Sequence, residues 1–419
     1  MGAGGADEAR VDRRSTLLAA LVTLACLLLP TAASARIFGT EPIAISVGPH
    51  GEGANGPSGH PAISGDDRKA RFVAFDSVAS NLVNGDSNGV EDVFVWARPH
   101  GFAGLALNQP ARPAGSLMRV SVSSSGQQAN GASANPAIDG SMHSSPHCVA
   151  FQSTASNLSP ADHDTVSDIF VRDMRRHRTL LVSRGITDPA GNAAIDGGCH
   201  VVAFEAGGRV WLARIRGNRP PRVVGNGSGP SFARDGTALV WNDGAAVMLR
   251  AAGRTVMVAG NGSSPRVSDL TSGYWGVVFQ TSAPLTPNDT NPGTDVYMRR
   301  VGRSGGVVST DLISAFRRGA ASLGGSSVAG GISAFGASRG IVTFATDNGA
   351  LDTLYYRNNH TGNIDDLAHA YGPGSIFDVV TSARANFVAF SSTYPGFRFD
   401  RNGWGQDVFF KALSNGEAL

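Results

Sequence analysis

The sequence predicts an all-β fold, a β-propeller of four-stranded antiparallel blades, seven by count, closed into a ring by its N-terminal strand. Three observations predict it. One strand pair recurs along the chain. Short apolar stretches alternate with Gly, Asn, Asp and Pro turns, and no stretch has a helical period. The last repeat stops one strand short, and a segment near the start of the chain fits the gap. Composition agrees. The 54 glycines in 419 residues call for many tight turns, while 42 % hydrophobic and 16 % charged residues are ordinary for a globular chain.

Residues 1–35 read as a signal peptide. Arg10, Arg13 and Arg14 form a basic start, Leu17 to Leu29 an apolar core containing Cys26, and Ala33-Ser34-Ala35 a small-residue cleavage site. The apolar core is too short and wrongly flanked for a membrane span, so no span is expected in the mature chain. Arg13-Arg14 suggests twin-arginine export, but the residues that follow suit general secretion better. The expected location is secreted, periplasmic or cell envelope. The remaining chain, 36–419, reads as a single propeller domain with blade repeats over about 43–413. A net charge of +2 gives no reason to expect nucleic acid as a partner. Lys69 and Lys411 are the only lysines, which reads as compositional bias and not as a binding signal.

The blades are found by aligning the chain with itself. PAISGDDRKARFVAF (61–75) matches PAIDGSMHSSPHCVAF (136–151), and each is followed by a polar loop and an apolar strand, DVFVWAR from 92 or DIFVRDM from 168. Upstream, ISVGPHGEGANGPSGHP matches VSVSSSGQQANGASANP almost position for position. The strand pair returns as AAIDGGCHVVAF, PSFARDGTALVW, PRVSDLTSGYWGVVF, GISAFGASRGIVTF and VVTSARANFVAF. Seven markers result: Phe75, Phe151, Phe204, Trp241, Phe279, Phe344 and Phe390. A four-stranded sheet is marginal alone, so such units must pack face to face, and radial stacking leaves only short edges. The last unit ends at DVFFKAL. Ile43 to Val47, which matches the outer-strand segment Arg119 to Val122, supplies its missing strand. Cys148 and Cys199 fall in neighbouring units. Export permits a disulfide between them, with two buried free thiols slightly favoured.

These repeats resemble the TolB-type propellers built of WD40-like (PD40) repeats, through the P-x-[IF]-x-x-D-G…VAF strand pairs and the D-[VI]-F-V strands after them. The resemblance spans essentially the whole mature chain. It implies a propeller and says little about function, because such propellers serve as binding platforms, scaffolds and enzymes alike. TolB itself has an additional N-terminal domain that this chain lacks, so its envelope partner is not carried over.

Four polar loops are the candidate sites. They hold Asp86, Asn88 and Asp92 in blade 1, Asp162, Asp164 and Asp168 in blade 2, Asp289, Asn291 and Asp295 in blade 5, and Asp400, Asn402 and Asp407 in blade 7. Side chains at i and i+2 are how calcium loops place ligands, but calcium takes about 6–8 oxygens and each loop offers three such side chains. At i+4 stand Val90, Val166, Gly293 and Trp404, none a ligand, and blade 6 keeps the last aspartate, Asp352, without the loop. A self-bonded turn is therefore favoured over calcium, the last aspartate accepting backbone N–H groups. In a propeller these second-to-third-strand loops share a face with the links between blades, which makes that face the expected binding surface. Blades 3 and 4 interrupt it with tight turns at Ala206-Gly207-Gly208 and Asn242-Asp243-Gly244.

Other candidates are weaker. His163 between Asp162 and Asp164 reads as an exposed turn in preference to a transition-metal ligand. His147 and His200 occupy equivalent places, which argues for a structural slot. Arg172, Arg175, Arg176, His177 and Arg178 make a basic hairpin, ordinarily just a solvated tip. No nucleophile elbow, H-E-x-x-H or paired C-x-x-C occurs. Propeller active sites assemble from single residues on several blades, so the lack of a motif decides nothing by itself. The leading expectation is a monomeric, non-catalytic propeller that binds a protein, peptide or cell-envelope glycan on the acidic-loop face. The alternatives are a metal-centred hydrolase or lyase of a sugar or lactone, with Asp and His converging on the channel, and a structural module of a larger assembly.

Overall fold

The computed structural model describes Met1 and residues 41–66, 70–98, 115–336, 340–349, 351–371, 375–397, 400–403 and 405–413. The expected signal peptide, Met1 apart, lies outside the described residues, as do Lys69 and Trp404. Gly39–Leu419 form one compact unit. Its described strands pair into seven four-stranded antiparallel sheets. Blade 1 runs outward from the channel through Ser58–Ile63, Phe72–Ser77, Asp92–Ala97 and Ser116–Arg119. Blades 2 to 6 occupy 133–181, 190–226, 228–259, 263–312 and 326–371. Blade 7 comprises Ile376–Thr381, Phe387–Ser392 and Asp407–Ala412, with Ile43–Ala44 as its outer strand. No described helix is long and apolar enough to cross a membrane.

The repeated strand pair forms the core because each blade is sandwiched between two others. Its second and third strands are therefore buried on both faces, and FVAF and DVFV carry no solvent alternation. The outer strand of blade 1, SLMR, alternates between exposed and half-buried. All seven markers are at most 1 % exposed. In five blades the marker stacks on an aromatic of the third strand (Phe94, Phe170, Tyr297, Tyr355 or Phe409), with ring centroids 5.4 to 6.3 Å apart. Such cross-strand pairs add about 0.5–1.5 kcal/mol each beyond burial. Blades 3 and 4 turn tightly as expected, at Gly207-Gly208, both with positive φ, and one residue past the expected centre at Gly244-Ala245.

The ring closes where the sequence predicts. Ile43 pairs with Phe410 and Ala44 with Phe409, and the Ile45 N–H donates to the Val408 carbonyl at 2.8 Å. The Ser46 hydroxyl donates to Asp407 Oδ1 at 2.6 Å and accepts the Val408 N–H at 3.0 Å. This clasp recurs. Ser121 holds Asp92, Ser183 holds Asp168 and Ser314 holds Asp295, and each serine oxygen accepts the N–H of the residue after its aspartate. The last aspartate of each acidic loop is thus strand-entry chemistry, as expected. Its donor in these four blades is a serine hydroxyl two residues past the outer strand and not a backbone N–H, whereas Asp352 in blade 6 takes the backbone N–H of Ile376 at 2.9 Å.

The free-thiol expectation is corrected. Cys148 and Cys199 form a disulfide, Cα atoms 5.9 Å apart, that staples blade 2 to blade 3. Both sit in one apolar cluster between these blades, at 0 % and 3 % exposure, so their side chains meet. A strand pattern places each cysteine in its blade without saying that the two face each other.

Candidate functional site

The acidic loops and the interblade links share one face, as the topology requires. The Asn55 and Asn130 N–H groups in the links donate to the side chains of Asn81 and Asn157 in the loops, at 3.0 and 3.1 Å. The Gln128 amide, in the same link as Asn130, donates to the Gly85 carbonyl at 2.7 Å.

Within that face the four loops differ. In blade 1, one nitrogen of the Arg119 guanidinium donates to Asp86 at 2.9 Å and to Asp92 at 3.0 Å, and the Asn88 amide donates to Asp92 at 2.9 Å. The Asp86, Asn88 and Asp92 triad therefore does converge, around an arginine. In blade 2, Asp162, Asp164 and Asp168 bring carboxylate oxygens within 4.8 Å of one another. Burial first, then the Asp162 and Asp164 charges, push Asp168 up to about 6. In blade 5, Asp289 takes the Tyr297 hydroxyl, and Asn291 bridges the Gly293 N–H and the Leu323 carbonyl, each at 2.6 Å. Burial, with the facing Asp289 charge, lifts Asp295 to about 6. In blade 7, the Asn402 amide donates to the Ala54 carbonyl at 3.0 Å, and burial lifts Asp407 to about 7.

The secondary candidates resolve as structural features. His163 is exposed on its loop. His147 and His200 occupy one slot, each beside the aspartate of its first-to-second-strand turn, Asp139 at 3.2 Å and Asp196 at 3.1 Å. Arg175, Arg176, His177 and Arg178 are exposed at the hairpin tip, whereas Arg172 is buried and donates to the Ser123 carbonyl at 3.0 Å.

The channel holds a feature that the sequence reading missed. It encloses a cavity of about 490 Å³ walled by the Ala-Ile pairs of the inner strands, such as Ala62-Ile63 and Ala137-Ile138. Every inner strand is bulged at one place. At that place His60, Asn135, Asn192, Ser264 and Asp378 have φ between 46° and 52°. Left-handed backbone is costly for residues other than glycine and gathers at functional sites. Here it sets five polar residues around the mouth of the cavity. The residue after the marker aromatic secures the ring. Asp76 accepts the Asn135 N–H at 2.8 Å, Gln152 that of Asn192 at 3.2 Å, Glu205 that of Gly229 at 2.9 Å and Gln280 that of Ala329 at 2.9 Å. The available signal was the repeated polar residue ahead of P-A-I or A-A-I, together with F-D, F-Q and F-E after the second strand.

The mouth is charged in part. His60 Nδ1 lies 2.8 Å from Asp76, a hydrogen bond that raises the imidazole to about 9. At the far end, backbone bonds link the turns of blades 1 to 4 (Gly65 to Asp139, Gly140 to Gly197, Gly197 to Arg234), and the Arg234 guanidinium reaches the carbonyls of Ile63 and Thr381. That side chain crosses from blade 4 to blades 1 and 7, so the cavity is entered from the acidic-loop face. Among the described residues, no group of three Asp, Glu, His or Cys side chains within metal reach lines the channel.

No family model matches the chain, and no curated protein matches it in sequence. Solved structures match in fold. They include the mitotic checkpoint complex (10 % identity, 99 % of this chain and 97 % of that one, TM-score 0.49) and the Cps50 (Swd1) propeller of Myceliophteria thermophila (11 %, 90 % and 99 %, 0.48). A TolB structure from Agrobacterium tumefaciens is a third (10 %, 72 % and 95 %, 0.37). WD40 and TolB-like propellers are thus this chain's structural neighbours, and at such identities the likeness concerns fold alone.

Proposed function

We propose that the chain is an exported, monomeric, non-catalytic propeller that binds a protein or peptide segment at the channel mouth, on the face carrying the acidic loops. The cavity beneath that mouth carries the proposal. It is roomy, walled by the Ala-Ile pairs together with Arg266 and narrowed at its far end by Arg234, and polar residues ring its entrance. Such a cup takes an apolar side chain inside while the ring bonds the ligand's polar backbone. Beside it stand Val328 and Phe377, exposed by 53 % and 37 %, which offer apolar contact at the rim. A cell-envelope glycan would use the polar ring alone. Export is supported by the signal-like residues 1–35 and by the Cys148–Cys199 bridge, at home in an oxidising compartment. The hydrolase or lyase alternative asked for three or more Asp and His side chains within metal reach of one another in the channel, and among the described residues no such group lines it.

The test is capture of ligands from envelope extract and from peptide and glycan arrays, with the chain and with Val328→Trp, Phe377→Ser and the hairpin-tip control Arg175→Ala. Binding lost in the first two and kept in the control places the site at the mouth. A Val328→Trp variant that binds as the parent does removes the mouth from consideration, and glycan-only capture replaces the peptide reading.

A further inference from the structure

Blade 1 shows what the other acidic loops lack. Its Asp86 and Asp92 share the guanidinium of Arg119, a side chain only 9 % exposed. Arg119 stands opposite Phe94, and the same register position holds Leu181 in blade 2, Leu312 in blade 5 and Ala44 in blade 7. Those loops keep the acidic triad and have no arginine at that position.

Two of them contain buried oxygens with no donor. Asp295 is 0 % exposed; its Oδ1 takes the Ser314 hydroxyl, and its Oδ2 takes nothing. Asp289 Oδ1 is equally buried and unpartnered, and Asp295 faces both Asp289 and Asn291. In blade 7, Asp400 Oδ2 and Asn402 Oδ1 are orphaned beside Asp407, itself 2 % exposed. A buried acceptor without a donor is destabilising, and more so when it is charged. The acidic loop of blade 2 has no such orphaned oxygen among its described residues, and the inference does not extend to it.

We propose that the loops of blades 5 and 7 each bind one calcium ion, through Asp289 and Asp295 in blade 5 and through Asp400 and Asn402 in blade 7, while Arg119 replaces the ion in blade 1. The donors are all hard oxygens, which suits calcium or magnesium and excludes soft metals. Carboxylate and amide oxygens held on a bending loop match calcium's flexible shell, whereas magnesium needs near-ideal octahedral geometry and keeps its waters. Loop carbonyls and water complete the shell.

Calorimetric titration of the chain, stripped with EDTA and then given calcium, tests this alongside Tm in the same series. Two ions per chain are expected, with affinity in the range of extracellular modules, about 0.1–1 mM, and Tm rising with the logarithm of free calcium. Asp295→Asn and Asp400→Asn, nearly isosteric, should each remove one ion. Leu312→Arg should also remove one ion while matching or exceeding the parent's Tm in EDTA, because it copies the blade 1 arrangement. Any of three results overturns the proposal: neither heat nor Tm shift at about 1 mM free calcium, an equal response to magnesium, or unchanged stoichiometry in both asparagine variants. None of these readouts depends on finding the ligand of the channel mouth.

Discussion

Single residues carry the chemistry of this propeller, and His60 is the most sharply defined of them. It sits at a strained bulge with Nδ1 2.8 Å from Asp76, and the charges of Asp378 and Glu91 add to the effect. Its pKa is raised to about 9, so the folded state holds a proton that the unfolded chain releases near 6.5. The stabilisation is therefore fully present below about pH 6.5 and is lost as pH rises through about 9. Titration of the His60 ring by NMR should show a midpoint near 9 in the parent and an ordinary one in Asp76→Asn, which keeps an oxygen for the Asn135 N–H. A parent midpoint near 6.5 would mean that the pair does not form. Legibility at this scale was partial. The acid spacing of Asp86, Asn88 and Asp92 was plain, but Arg119 lies 27 residues past Asp92 and joins it only once strand register is known. His60 drew no notice because a polar residue before P-A-I looks like ordinary turn chemistry.

At the scale of the element, the serine clasp explains why the third and outer strands stay in register. Ser121 is fully buried, gives its hydroxyl to Asp92 at 2.5 Å and accepts the Val93 N–H at 3.1 Å. Ser121→Ala strands both partners, so chemical denaturation should show a loss of about 1–3 kcal/mol, while Met118→Ala on the exposed side of the strand should stay within about 0.5 kcal/mol. Equal losses would reduce the clasp to ordinary strand packing. The disulfide acts between elements. With its cysteines 51 positions apart in the sequence, chain entropy assigns it about 4 kcal/mol. A Cys148→Ala, Cys199→Ala variant should melt well below the parent, by the same amount that reduction lowers the parent itself. Strands, markers and turns were readable because short apolar stretches repeated along the chain and Gly-rich turns are local properties. Which side chains meet between blades is not local, and so the free-thiol expectation failed while the blade assignments held.

At the scale of the molecule, closure of the ring depends on a strand from the opposite end of the chain. The sequence announced it, since ISV at 45–47 repeats the VSV that ends blade 1 and the last blade lacks such a segment. Ile43 and Ile45 are 4 % and 0 % exposed in the core shared by blades 7 and 1, where Trp96 packs on Phe410 at 5.1 Å. Burial of each isoleucine contributes about 1.5–3 kcal/mol, and Ser46 satisfies the buried Asp407. Without this strand the edge Asp407–Ala412 presents unpaired backbone groups, a template for association with other chains. A chain lacking residues 1–47 should therefore melt earlier and self-associate. A peptide of residues 41–48 added in trans should restore the melting temperature and the monomer, because the vacated edge accepts a strand from any source. The same peptide with Ser46→Ala and Ile45→Asp should fail. If truncation leaves Tm and association state unchanged, blade 7 is stable with three strands, and closure contributes geometry without stability. Rescue by the parent peptide alone would show instead that the ring is held shut by the side chains that make Ile43–Val47 the fourth strand.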